Sequence, residues 1–74
     1  MMKKGDLASF KNHAVGRLFC PDRGLISVIL EEGTIGLIID DPDRQGGIEM
    51  LVGADIIFDI DIEDLKRTSR LRVN

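Results

Sequence analysis

His13 and Cys20 are the only imidazole and the only thiol in this chain, so nucleophilic or acid-base catalysis would run through them or through carboxylates. Both fall in the stretch from Lys11 to Arg23. No third group accompanies them to orient the imidazole, and no run of cations beside Cys20-Pro21 activates the thiol. Cys20 reads as an ordinary small side chain. A structural zinc ion takes about four Cys, His or carboxylate ligands, and the usual C-x-x-C spacing is absent. Among the carboxylates, Asp59-Ile60-Asp61-Ile62-Glu63-Asp64 begins like a calcium loop, but Asp64 stands where that loop requires Gly and Arg70 where it requires a bidentate Glu. Asp59, Asp61 and Glu63 read instead as the outward side of an amphipathic strand and turn. Asp40, Asp41 and Asp43 offer a cation only weak ligation, in a loop whose Asp-Pro-Asp composition is that of a turn. Gly33-Thr34-Ile35-Gly36 lacks the Lys of a Walker loop and the third Gly of a dinucleotide fingerprint. The expectation is no catalytic residues, no cofactor and no metal.

Seventy-four residues allow a single small domain, 1–74, because a chain this short buries too little surface for two cores. A hydrophobic fraction of 43% with 31% charged residues describes a globular chain. The longest mainly apolar stretch, Gly24 to Asp40, is broken by Glu31 and Glu32, too soon for a membrane span. The basic start Met1-Met2-Lys3-Lys4 runs into Gly5-Asp6 rather than an apolar signal segment, so a cytoplasmic location is expected. Charge is strongly patterned. Residues 1–30 hold five basic against two acidic side chains, 31–64 hold one against eleven, and 65–74 hold four and none. Such asymmetry speaks to partners rather than to fold.

Short runs rich in Ile and Val, separated by Gly, Asp and Pro, predict an all-β domain of five or six strands. These are Asp6–Phe10, Leu25–Leu30, Thr34–Asp40, Ile48–Val52, Asp55–Ile60 and Lys66–Val73, with Lys11–Arg23 left as a long loop and Glu63-Asp64-Leu65 as a single turn. Gly53-Ala54 suits a type II′ hairpin. Alternation of Ile56, Phe58, Ile60 and Ile62 with more polar residues marks one core face. The expected core is Leu7, Phe10, Leu37, Ile39, Met50, Val52, Ile56, Phe58, Ile60 and Leu65. Leu25, Ile29, Ile38 and Ile57 fall in the opposite phase and are the interface candidates, since an apolar second face needs cover from the loop or another molecule.

Three segments, Lys4-Gly5-Asp6-Leu7-Ala8-Ser9-Phe10, Gly36-Leu37-Ile38-Ile39-Asp40, and Ile48-Glu49-Met50-Leu51-Val52 ahead of Asp64-Leu65, together resemble the small SH3-like barrels, including KOW-like modules and short proteins common in tailed phages. The chain departs from that pattern at Ala8, where Val is usual, and in having no Trp after Leu51. The resemblance implies a five- to six-stranded SH3-like barrel with an enlarged first loop and with its first and last strands adjacent. That adjacency would gather Lys3, Lys4, Lys11, Lys66, Arg67, Arg70 and Arg72 into a basic face. The function expected is a non-enzymatic structural or adaptor module, in the phage setting a virion or assembly component of the host cytoplasm or particle, meeting a protein partner or further copies of itself. The alternative is a KOW-like nucleic-acid-binding module that uses the basic face; a sequence pI of about 4.9 and three Phe without Tyr or Trp weigh against a stacking platform.

Overall fold

The apolar runs are too short for helices and too β-branched to favour them, and they fold as strands throughout. A computed structural model describes residues 2–68. Its strands are β1 (Leu7–Phe10), β2 (Ala14–Cys20), β3 (Gly24–Leu30), β4 (Ile35–Ile38), β5 (Gly47–Val52), β6 (Asp55–Asp61) and β7 (Leu65–Arg67). All pairings are antiparallel, in one sheet of order β3-β2-β6-β5-β4-β1-β7. Among the described residues β3 and β7 are not paired to each other, so the sheet is open. No helix among those residues is long and apolar enough to cross a membrane.

The main departure from the sequence expectation is β2. The stretch Lys11–Arg23 is not an enlarged loop but half of a hairpin, with Ala14 to Cys20 registered residue for residue against Leu30 to Gly24. Ala14, Gly16 and Leu18 alternate with Val15, Arg17 and Phe19, and the small residues face inward because the core lies directly beneath them. Among the described residues the strand count is therefore seven. The β5–β6 hairpin forms as expected. Gly53 has φ of 61° and Ala54 is not in the positive-φ region, which is the type II′ pattern. The turn before β7 is a single 3₁₀ turn, Ile62–Asp64, capped by Asp61, whose carboxylate accepts from the Glu63 N–H at 2.9 Å. Of the last predicted strand, Leu65–Arg67 is described and pairs with β1, and residues 69–74 lie outside the described residues.

The core is Ala8, Phe10, Ala14, Leu30, Ile38, Ile48, Met50, Ile57, Ile60 and Leu65. Phe10, Met50, Ile60 and Leu65 are where the sequence places them. Leu7, Leu37, Ile39 and Phe58 are only half-buried and Ile56 is exposed, while Val52 packs on the core's margin. Two shifts explain this. On β1 and β4, Leu7 pairs with Leu37 and Ala8 with Gly36, so Ala8 and Ile38 turn inward and the two leucines outward. On β6 the alternation is broken. Ile48 pairs with Ile60 but Met50 with Ile57, so Glu49 alone is opposed by both Phe58 and Asp59, and Asp59 takes φ of 59°. That bulge turns Ile57 and Ile60 to the same side although they are three apart in sequence. Asp is among the few non-glycine residues that enter the left-handed region at modest cost.

Candidate interaction surface

The outward face of the sheet is apolar across most of its width. On β2 and β3, Val15 pairs with Ile29, Arg17 with Ser27 and Phe19 with Leu25, and all six side chains are exposed. Phe58 sits opposite Arg17 on β6. From there the register continues Ile56 to Leu51, Leu51 to Leu37 and Leu37 to Leu7. Phe19, Leu25 and Ile29 are 59%, 54% and 73% exposed. One shallow hollow lies among Phe19, Leu25, Phe58 and Asp59, and a second among Leu18, Phe19, Ala54, Asp55, Ile56 and Phe58. Phe19 therefore stands as a ridge between two depressions. An ion pair on this face, Arg17 Nε to Asp59 Oδ2 at 3.6 Å, is largely exposed and contributes little to stability.

Of the four interface candidates, Leu25 and Ile29 lie on this surface. Ile38 and Ile57 do not. They are 0% and 3% exposed, turned into the core by the β4 phase and the β6 bulge. Val15, Phe19, Leu51, Ile56 and Phe58 were not anticipated as surface members. The signal for the first two was present in the alternation from Ala14 to Phe19, which the reading of that stretch as loop obscured.

The first and last described strands do lie side by side, with Ala8 opposite Arg67 and Ser9 opposite Lys66. Lys3, Lys4, Asp6 and Arg67 border one hollow at the start of β1. Lys11 follows the far end of β1, where its N–H donates to the Asp64 carbonyl. The basic residues thus spread along the β1–β7 edge, and acids sit among them. Arg67 reaches Asp6 Oδ1 at 3.3 Å, the Lys3 N–H donates to Asp6 Oδ2, and the Lys4 N–H to Asp41 Oδ1 at 2.8 Å. Arg70 and Arg72 lie outside the described residues.

His13 precedes β2 and Cys20 ends it, so an extended strand of roughly 3.3 Å per residue holds them about 23 Å apart. They cannot form a catalytic pair. The acidic loop spends its carboxylates on backbone. Asp40 accepts from the Asp41 N–H, and Asp43 Oδ1 accepts from the N–H groups of Gln45 and Gly47 at 2.8 and 2.9 Å. The amides of Gly47 and Gln45 hold the Asp43 carboxyl below its ordinary value of 3.8. A depressed carboxylate stabilises the loop fully above that ordinary value and loses its effect as pH falls through the lowered one. The amide proton shifts of Gln45 and Gly47 should therefore hold steady at about pH 5 and move together as acidification carries Asp43 through its lowered value. An NMR titration in which both amides are insensitive to pH down to the acid unfolding point would contradict this.

Compared with family models, with curated proteins and with solved structures, the chain matches none.

Proposed function

We propose that this chain is a non-enzymatic structural or adaptor module that works by protein–protein contact, using the outward face of β2, β3, β5 and β6. The observation that carries this reading is the exposed apolar row itself. Scattered surface hydrophobics are ordinary, but a contiguous set with an aromatic ridge between two hollows is what a partner's side chains pack against. Arg17 and Ser27 form a polar rung that separates Val15 and Ile29 from the area around Phe19, Leu25, Ile56 and Phe58. Asp55 and Asp59 border that area elsewhere, so this smaller patch has the apolar middle and polar rim of protein interfaces. The finer assignment, an SH3-like barrel of the tailed-phage kind serving a virion or assembly, draws support from the Lys4-to-Phe10 opening and from the pairing of β1 with β7. The second reading, nucleic-acid binding, has one observation in its favour, the Lys3, Lys4 and Arg67 hollow, and Asp6 inside that hollow works against it.

A photoreactive residue in place of Ile56 tests the assignment in the cells that make the protein. The expected result is a discrete protein adduct that disappears when Phe19→Glu is added, with the melting temperature of the double variant unchanged within a few degrees because both sites are exposed. No adduct, or an adduct to nucleic acid alone, would overturn the protein-contact reading.

A further inference from the structure

The open sheet ends in two edges of different construction. At one, β7 has three described residues and carries Lys66 and Arg67. Short, charged edges resist pairing with another chain. At the other, β3 runs Gly-Leu-Ile-Ser-Val-Ile-Leu without a charge or a proline. Among the described residues its only paired neighbour is β2. Alternate N–H and C=O groups along its other side therefore lack a strand partner, and nothing in its sequence discourages one.

The strand is also complementary to itself. In an antiparallel pairing centred on Ser27, Leu25 meets Ile29 of a second copy and Ile26 meets Val28. At the two ends Arg23 meets Glu31, twice over by symmetry. Arg23 and Glu31 are both exposed and flank the strand, Arg23 in the turn before Gly24 and Glu31 directly after Leu30. A parallel pairing would set Arg23 against Arg23 and Glu31 against Glu31, and a two-residue slip would separate the opposite charges.

From this we infer that β3 pairs antiparallel with β3 of a second copy, joining two sheets edge to edge in a two-fold dimer. The inference goes beyond the protein-contact reading above, since it uses the edge of β3 and leaves the outward face free. The symmetry axis stands perpendicular to the sheet, so both outward faces come to the same side, and the Leu25 and Ile29 strip runs unbroken across the seam.

Sedimentation of the full chain from micromolar to millimolar concentration should show a reversible dimer. Arg23→Glu and Glu31→Arg should each raise its dissociation constant about tenfold, since like charges directly opposite destabilise and each dimer holds two such pairs. The two together should restore it to within about twofold, because the cross-strand charges are again opposite. Melting temperatures of the three variants should stay together, as both positions are exposed turn-flanking sites. A chain monomeric at millimolar concentration overturns the inference, and so does a dimer indifferent to the single changes or not rescued by the double. A monomer that still gives a protein adduct at position 56 leaves the protein-contact reading standing. A swap-sensitive dimer without any such adduct to another protein supports the pairing and removes the adaptor role.

Discussion

Phe10→Ala is expected to lower stability by about 3–5 kcal/mol, the usual cost of emptying a buried phenylalanine site. Phe10 is 1% exposed, pairs with Leu65 across the β1–β7 seam, and has its backbone N–H and C=O tied to Thr34 and Gly33. It thus lies where the chain's two ends and the exit from β3 come together. A domain of this length has a total stability of roughly 4–11 kcal/mol, so the loss should bring the melting temperature down by at least about 12 °C or unfold the chain outright. Phe58→Ala is the matched control. That ring is half-buried on the outward face, opposite Arg17, and its loss should cost no more than about 1 kcal/mol. Urea unfolding of the two variants side by side decides the matter. Equal destabilisation would mean that the bulge at Asp59 does not set the inward phase of β6 as described.

Gly16→Val should be the most damaging small-to-large change on β2. A Cβ at position 16 would collide with Ile57 Cγ2 and stand 2.7 Å from Ile60 Cδ1 and 3.3 Å from the Phe58 carbonyl oxygen. Both isoleucines are core members, and the carbonyl is backbone, so neither side yields freely. Overpacking of this kind costs about 1–3 kcal/mol for modest insertions, and a branched side chain belongs at the upper end. Gly16→Ala should also destabilise, although alanine normally gains over glycine within a strand. Shortening the neighbour with Ile57→Val should recover part of that loss in a double-mutant cycle. A more stable Gly16→Ala variant would show that β2 does not press this closely on β6.

How far the fold could be read from the sequence depended on whether a residue's local signal agreed with its packing role. The β5–β6 hairpin was legible because Gly53-Ala54 supplies the turn chemistry and both flanking runs are apolar. The all-β class followed from the same short runs. Gly16 misled, since a glycine ahead of Pro21 and Gly24 resembles loop punctuation, whereas here it allows a strand to lie against Ile57 and Ile60. The bulge misled differently. Strict alternation selects Ile56, Phe58 and Ile60 as one face, and a single left-handed residue splits that set so that only Ile60 points inward. Ile57 is core because of that bulge, and Ile38 because β4 turns Gly36 and Ile38 to the inner side. Leu25 and Ile29 survived as surface because β3 carries no such interruption.

The acids set among the basic residues at the β1–β7 edge also govern what that edge can attract from afar. Asp6 lies within 3.3 Å of Arg67, and the Lys4 backbone is fastened to Asp41. At physiological ionic strength potentials decay over about 8 Å, so charges this close merge before they reach an incoming molecule. Residues 2–68 hold eight basic against thirteen acidic side chains. A polyanion approaching the described part of the chain therefore meets a repulsive far field, and meets Lys3 and Lys4 as separate cations only at contact. Diffusional steering favours cationic surfaces arriving at the acidic turns, and encounter rates with such surfaces fall as salt is added.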